Sequence, residues 1–395
     1  MTAKPCARCE TLPDALPDAG LLVAWLPLAH TATKLAALLH DQGFVTTWVA
    51  EEGRLDIAFA AGQLEAVARA IEKGLSGEEQ RATRALCLAP DTVPTVRDFQ
   101  KVVPLPQLIG LAKSRWIIEL LAEDRLTSHF QSIVHAGDPT RIFAHEALLR
   151  GRALDGSLVA PGLLFDAARE CDLLFQLDVK ARMSALRHAA RHNVTTRLFV
   201  NFSPAAIYDP VFCLQRTVAT AREVGIASEN IVFEVIESSH CGDVAHLRNI
   251  LEHYRSNGFR VALDDVGAGY SGLNLLHQLK PDYIKLDMEL VRNVDREPYK
   301  AAIAEKVLQL AHDLGIETVC EGIETQGELD WVRDHGTNYV QGYLIARPCA
   351  EPHTTVPTAP PAALPSPRAT TDGANAPERR QAIDSRPPAD LRIAS

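Results

Sequence analysis

Short apolar runs alternate with helical stretches over most of the chain, and this alternation predicts the fold. Between residues 115 and 348, eight runs rich in apolar and β-branched residues are separated by stretches with helical periodicity. The runs are FQSIV from Phe130, IFAHEALLR from Ile142, RLFVNFS from Arg197, IVFEVIE from Ile231, RVALDDVG from Arg260, YIKLDM from Tyr283, ETVCEGIE from Glu317 and YVQGYLI from Tyr339. Eight strands with intervening helices predict an α/β fold, a closed and mostly parallel (β/α)8 barrel of a modified TIM type.

The segments on either side of the predicted barrel have other patterns. An N-terminal segment, 1–20, precedes the segment 21–88. In this second segment the pattern predicts strands LLVAWLPL, VTTWVA and LDIAFA, helix ATKLAALLHDQG and further helices from Gln63 onward. This pattern predicts a small α/β domain, which we expect to be regulatory or dimerising. Residues 89–114 are a proline-containing connector together with the start of an amphipathic helix, which is predicted from Gln107 to Leu126. Residues 349–395 are rich in Pro, Ala, Thr and Ser, and we expect this tail to be disordered.

Seven consecutive predicted strands end in a polar residue. These residues are Glu146, Asn201, Glu234, Asp264 with Asp265, Lys285, Glu321 and Gln341. In a (β/α)-barrel the strand ends meet on one face, where active sites lie. Five carboxylates in one mouth repel each other unless cations neutralise them, so the pattern predicts divalent metal. Carboxylate and amide oxygens without Cys or His favour Mg²⁺ or Mn²⁺ over Zn²⁺, and the adjacent aspartates suit a two-ion site.

Charge and composition exclude some classes of function. A formal net charge of −10 argues against a protein that holds a DNA or RNA polymer by many phosphate contacts. The sequence shows neither an apolar run long enough to span a membrane nor a secretory signal, so we expect a cytoplasmic protein. Cys6 and Cys9 form a lone C-x-x-C pair. Without a second pair at zinc-ligand spacing, free thiols are favoured over a metal or redox site.

Several motifs, in order, resemble the EAL family of cyclic di-GMP phosphodiesterases. EALLR from Glu146 resembles the signature that names the family, and FQSIV from Phe130 resembles its first strand. The other matches are VNFS from Val200, FEVIE from Phe233, DDVGAGYSGL from Asp264, DYIKLD from Asp282, CEGIET from Cys320 and QGY from Gln341. Gly151 departs from the family pattern, because an aromatic residue often follows the signature arginine. EALLR alone could occur in any helix, but so many ordered matches indicate the family.

The resemblance implies a substrate, cyclic di-GMP, and a role for each matched residue. Glu146, Asn201, Glu234 and Asp264 resemble ligands of one ion, and Asp264 with Asp265 resembles the link to a second. Lys285 resembles the cation that orients the attacking water, and Glu321 the general base or a partner of the second ion. Arg150, Gln131 and Gln341 resemble substrate-binding residues. Glu237 resembles the residue that holds the loop with Gly267 and Gly269 and links it to a dimer interface, and a homodimer is expected.

Two alternatives remain open at the level of sequence. One is an EAL domain that binds cyclic di-GMP as a receptor, or acts through protein partners, without hydrolysing the dinucleotide. The other is a dinucleotide-dependent oxidoreductase, because GAGYSG from Gly267 fits G-x-G-x-x-G after a predicted strand. Against that second hypothesis, Asp264 and Asp265 would place two negative charges beside a loop that has to bind pyrophosphate.

Overall fold

The computed structural model of the protein describes residues 11–236, 244–267 and 272–356, which contain two β-sheets. The strands, in chain order, are β1 Gly20–Trp25, β2 Val45–Val49, β3 Arg54–Phe59, β4 Arg84–Leu88, β5 Val103–Pro104, β6 Leu126–His135, β7 Asp138–Arg152, β8 Leu158–Val159, β9 Arg197–Asn201, β10 Ile231–Ile236, β11 Arg260–Val266, β12 Tyr283–Leu286, β13 Glu317–Cys320 and β14 Tyr339–Val340. Strands β1 to β5 form one sheet and β6 to β14 form the other.

Helices cover both sheets. They are α1 Ala29–Asp41, α2 Leu64–Gly74, α3 Gly77–Ala82, α4 Leu105–Lys113, α5 Arg115–Ala122, α6 Pro161–Glu170, α7 Leu174–Arg191, α8 Pro210–Cys213, α9 Gln215–Glu223, α10 Val244–Ser256, α11 Gly272–Leu279, α12 Met288–Val291, α13 Pro298–Asp313 and α14 Gln326–Asp334. In the part of the chain that the structure describes, no helix combines the length and apolar character needed to cross a membrane.

The N-terminal sheet is antiparallel, with the strand order β2-β3-β1-β4-β5. Helices α1, α2 and α4 pack against it through a common apolar core. The sequence prediction placed helices from Gln63 onward and missed β4, which pairs with β1 so that Leu88 lies opposite Leu21. A five-residue run, RALCL, carries little periodicity of its own, and pairing with β1 decides its conformation.

The amphipathic helix predicted from Gln107 to Leu126 is two helices, α4 and α5, which meet at Ser114. Leu108 and Ile109 of α4 pack in the N-terminal core, whereas Leu120 and Leu121 of α5 pack in a second cluster together with the barrel. Ser114 has a non-helical backbone, with φ −120° and ψ 37°, and it separates the two helices. Leu111 near the end of α4 already packs in the second cluster, so the connection passes from one core to the other at this point.

The second sheet closes into the predicted eight-stranded barrel. Seven of the barrel strands, β7 and β9 to β14, run parallel to one another. Strand β6 is antiparallel to both of its neighbours, β7 and β14, and the two-residue β8 pairs antiparallel with the end of β7. Each of the eight predicted strands is present. The orientation of β6 follows from the chain between it and β7, since two residues, Ala136 and Gly137, cannot supply a parallel crossover.

Two layers of side chains fill the barrel interior. The lower layer, here called the floor, is an apolar cluster with a residue from every barrel strand: Ile133, Ala144, Phe199, Val232, Ala262, Tyr283, Val319 and Tyr339. The residue two positions away from each of these is polar, either on the strand or, for β13 and β14, directly after it. These eight residues are here called the rim: Gln131, Glu146, Asn201, Glu234, Asp264, Lys285, Glu321 and Gln341. Because side chains two apart on a strand share a face, the floor places every rim residue inward.

The first residues after the barrel do not behave as the sequence predicted. The disordered tail was expected to begin at Cys349, yet Cys349 pairs with Phe130 of β6 through two backbone hydrogen bonds of 2.7 and 3.0 Å. The ring of His145 hydrogen-bonds the carbonyl oxygen of His353 at 2.9 Å, and Val356 packs against the barrel core. Residues 349–356 therefore lie along the barrel, and the prediction for 357–395 falls outside the described residues.

Candidate active site

Lys285 of β12 lies at the centre of the rim, and its side chain is 1% exposed. Its Nζ lies 2.5 Å from Glu321 Oε1, 2.7 Å from Glu234 Oε1, 3.1 Å from Asp264 Oδ1 and 3.5 Å from Glu146 Oε2. One buried ammonium therefore contacts carboxylates from four other strands. Closure of the barrel brings together residues that are up to 175 positions apart in the sequence, from Glu146 to Glu321.

Amide side chains connect the rim carboxylates to each other. Asn201 Nδ2 donates to Glu146 Oε1 and to Glu234 Oε2, both at 3.0 Å. Gln341 Nε2 donates to Glu146 Oε2 at 2.7 Å and to Gln131 Oε1 at 3.0 Å. The structure therefore brings together the rim residues that the sequence singled out, including the four expected ligands of one ion.

A distortion of β11 brings two adjacent aspartates to the same side. Neighbouring residues of a regular strand face opposite ways. Here the pairing of β11 with β12 shifts register between Leu263 and Val266, and Asp265 has a φ of 57°, in the left-handed region. Carboxylate oxygens of Asp264, Asp265 and Glu321 consequently lie within 4.8 Å of one another. The strained backbone conformation of Asp265 therefore lies at the point where these carboxylates meet.

Burial and mutual repulsion shift the pKa values of the rim acids. Burial raises the pKa of Glu321 to about 8 and that of Asp265 to about 6. Burial also raises the pKa values of Glu234 and Asp264, with neighbouring carboxylates adding to the shift. Burial favours the neutral form of Glu146 too, but the Lys285 charge and the hydrogen bonds from Gln341 and Asn201 bring its pKa below the ordinary value. Without further cations, the site carries strongly disfavoured negative charge.

The donor set fits divalent cations. Glu234 Oε1, Asp264 Oδ1 and Glu321 Oε1 are buried and, among the described residues, have no partner besides the Lys285 ammonium. When all five carboxylates are ionised, they and the one ammonium leave four negative charges, which two divalent ions would balance. Hard oxygen ligands of this kind suit Mg²⁺, Mn²⁺ or Ca²⁺.

The remaining predicted residues lie near the rim or outside the described chain. Arg150 is four positions after Glu146 on β7 and so projects from the same face. Its Nη1 donates to the Leu149 carbonyl oxygen at 2.7 Å. Gly267 has a φ of 107°, and a Cβ there would lie 2.9 Å from Leu290 Cδ2. The predicted loop residues Glu237 and Gly269 lie outside the described residues.

Two glycines next to the rim were not singled out from the sequence. A Cβ at Gly342 would lie 2.1 Å from the Ile323 carbonyl oxygen, and a Cβ at Gly322, where φ is 68°, would lie 2.3 Å from Met288 Cβ. Only glycine therefore lets the chain after Gln341 pack against the chain after Glu321. The sequence signal was a glycine immediately after each of these rim residues.

Gly267 directly follows β11, a strand of the closed barrel. The G-x-G-x-x-G fingerprint binds dinucleotides in open, doubly wound sheets, at the point where strand order reverses. The closed sheet does not provide that crevice, so the oxidoreductase hypothesis has no structural support in the described chain.

The chain is similar to known proteins across the barrel. The family model for the EAL domain matches residues 114–348. A relative from Escherichia coli K12, named a probable cyclic di-GMP phosphodiesterase, PdeG, is 33% identical over 55% of this chain and 44% of its own length. A cyclic di-GMP phosphodiesterase of Pseudomonas aeruginosa is 32% identical over 51% of this chain and 35% of its own length. The chain thus matches less than half the length of either curated relative.

Solved structures show the same fold. A standalone EAL protein from Vibrio cholerae O395, in its cyclic di-GMP bound form, is 34% identical over 58% of this chain and 95% of its own, with a TM-score of 0.53. BlrP1 of Klebsiella pneumoniae, in a manganese and cyclic di-GMP complex, is 23% identical over 84% of this chain and 96% of its own, with a TM-score of 0.52. That second likeness concerns the fold alone and extends beyond the barrel. With the family match spanning more than half of its length, this chain belongs to the EAL domain family.

Proposed function

We propose that the protein hydrolyses cyclic di-GMP to linear pGpG in a reaction that requires two divalent ions, Mg²⁺ or Mn²⁺. One observation carries the proposal: five carboxylates from four barrel strands share one mouth with the buried ammonium of Lys285. Relatives named as cyclic di-GMP phosphodiesterases and an EAL protein solved with cyclic di-GMP support the choice of substrate.

The carboxylates of the rim provide the ligands in this proposal. Glu146, Asn201, Glu234 and Asp264 would hold one ion, and Asp265 with Glu321 would complete a second site that shares Asp264. Divalent ions bound there would lower the pKa of water and neutralise charge on the phosphate. With all five carboxylates ionised, their excess negative charge gives this donor set a strong preference for such ions.

Protein side chains would supply the remaining chemistry. Glu321 would accept the proton of the attacking water or hold that water on the second ion, because its carboxylate lies buried in the rim, 2.5 Å from Lys285 Nζ. Lys285 remains charged, since the surrounding carboxylates outweigh burial and raise its pKa well above the ordinary value. Its ammonium would orient the attacking water and offset phosphate charge.

Residues around the mouth would position the dinucleotide. Arg150 and Gln131 would contact phosphate or guanine, and Gln341 would line the substrate pocket. The hydrogen bonds of Gln341 to Gln131 and Glu146 support the roles of the two glutamines. The loop that contains Gly267 and Gly269, held by Glu237, would keep Asp264 and Asp265 in register and so control activity. We further propose a homodimer, which light scattering on purified protein tests directly.

Turnover measured on the full chain tests the proposal. With Mg²⁺ or Mn²⁺, chromatography should show conversion of cyclic di-GMP to pGpG, and EDTA should stop it. Glu321→Ala should abolish turnover while binding of cyclic di-GMP stays measurable by calorimetry. If the wild type binds cyclic di-GMP tightly and forms no pGpG, the protein is a receptor and the hydrolase proposal fails.

A further inference from the structure

The outer side of β7 beside Arg150 is packed against helices. Leu149, which precedes Arg150, contacts the cluster formed by α5, α6 and α7. Gly151, which follows it, faces the same cluster. Arg150, which is proposed to bind substrate, therefore lies between two residues, Leu149 and Gly151, that both pack against the helices outside the barrel.

Gly151 leaves no free space on this outer side. A Cβ at that position would lie 3.0 Å from Leu120 Cδ1 of α5, 3.1 Å from Leu164 Cδ2 of α6 and 3.1 Å from Val159 Cβ of β8. Leu120 and Leu164 are both fully buried. Leu120 thus occupies the space that a side chain at position 151 would fill, and it packs directly against the strand backbone.

A second contact holds the end of β7 to the end of α5. The Arg152 backbone N–H donates to the Arg125 carbonyl oxygen at 2.9 Å, and Arg125 Nη1 donates to the Arg152 carbonyl oxygen at 2.8 Å. Both backbone groups of Arg152 are therefore bonded to the segment that follows α5. Any shift of α5 would be transmitted to the strand within two residues of Arg150.

Helix α5 is in turn joined to the N-terminal sheet. Only Ser114 separates it from α4, whose Leu108 and Ile109 are buried in the N-terminal core. A Cβ at Gly110 of α4 would lie 2.1 Å from the Glu170 carbonyl oxygen at the end of α6, so the two backbones are in contact. The two helices form a short packed connection from the N-terminal core to β7.

We propose that Leu120 is a positioning residue, which sets the backbone of Leu149 to Gly151 so that Arg150 meets the substrate. Through α4 and α5, the N-terminal sheet is then coupled to substrate affinity. This inference rests on the proposed function, specifically on a substrate-binding role for Arg150. A displacement of a substrate-contacting group by a fraction of an ångström weakens binding without removing the catalytic groups.

Two alanine variants of α5 test this role. Leu120 and Leu121 are neighbours on one helix, both fully buried in one cluster, but Leu120 is the one in contact with Gly151. Leu120→Ala should raise the KM for cyclic di-GMP about tenfold and leave kcat within about twofold. The two alanine variants should lower the melting temperature by similar amounts, but Leu121→Ala should leave KM unchanged. Leu120→Met, which keeps the side-chain volume, should restore KM.

The outcomes separate this inference from the proposed function. If Leu120→Ala and Leu121→Ala change KM equally, or neither changes it, Leu120 has a purely structural role and the inference fails. If the wild type gives no pGpG, the same comparison is made with dissociation constants for cyclic di-GMP by calorimetry. A selective tenfold effect of Leu120→Ala on binding then supports the inference although hydrolysis is absent, and a wild type that neither binds nor hydrolyses overturns both.

Discussion

The floor and the rim of the barrel lie two residues apart along the same eight strands, yet the interactions of their side chains differ. At the floor, Tyr339 stacks on Phe143, a further residue of the same apolar cluster, with ring centroids 3.6 Å apart, and its hydroxyl donates to Glu317 at 2.6 Å. In the rim, three buried carboxylate oxygens depend on one ammonium. The floor residues pack against each other, whereas the buried rim oxygens share one ammonium, which is why we propose that cations bind there.

This difference indicates which layer contributes stability and which contributes chemistry. Apolar burial in the floor lowers the free energy of the folded state, and the closely packed layer fixes the direction of the strands. Burial of five acids around one lysine raises that free energy unless bound ions compensate. We therefore expect substitutions in the rim to change mainly activity and ion binding, and substitutions in the floor to change mainly the free energy of unfolding.

The largest effect is expected for Glu321→Gln in the rim. The change keeps the side-chain volume and removes the proposed proton acceptor, so kcat should fall about a thousandfold, or about 4 kcal/mol in activation free energy. Steady-state kinetics with chromatography of pGpG measures it. Glu324→Gln, at an exposed acid three residues later, is the matched control and should stay within about twofold of wild type. A kcat for Glu321→Gln within tenfold of wild type would show that Glu321 is not the proton acceptor.

Metal ions should stabilise the fold through the rim. At a Mn²⁺ concentration about 100 times its dissociation constant, the free energy of unfolding should rise by about 2.7 kcal/mol relative to protein in EDTA. Asp264→Asn removes an acid that both proposed ion sites share and should remove most of this gain. Thermal unfolding with and without Mn²⁺ measures both proteins. An equal gain in wild type and variant would place the ions elsewhere.

Val319→Ala changes the floor on the same strand that carries Glu321. Deleting two buried methyl groups should lower the free energy of unfolding by about 2 kcal/mol, while kcat stays within about threefold. Urea denaturation and steady-state kinetics give the two values. A large loss of kcat with an unchanged free energy of unfolding would contradict the assignment of stability to the floor and chemistry to the rim.

The smallest effect concerns the backbone at Asp265. Asp265→Asn and Asp265→Ala both remove the carboxylate, but asparagine tolerates the left-handed conformation and alanine does not. In EDTA, Asp265→Ala should therefore be less stable than Asp265→Asn by about 1 kcal/mol. Chemical denaturation of the two variants measures the difference. Equal stability would show that the strand relaxes once the carboxylate is gone.

Most of the barrel and the identities of its rim residues were predictable from the sequence. Each barrel strand is a short apolar run with a polar residue near its end, and the period of two in a strand assigns that residue to the inner face. The predictions that failed concern places where local pattern is weak. RALCL forms β4 because β1 offers it an antiparallel partner, and the helix through Ser114 divides because its two halves face different cores.

The amino-acid sequence alone determined that this protein has eight barrel strands with acids, amides and one lysine converging at one end, because strand periodicity and chain order need no knowledge of distant contacts. Tertiary structure alone decided that Asp264 and Asp265 face the same pocket, that Lys285 reaches four carboxylates, and that residues 349–356 pair with β6. These features depend on the β11 register shift, on barrel closure and on pairing between residues far apart in the chain. Distances of that kind are set by packing of the whole fold, which no local pattern encodes.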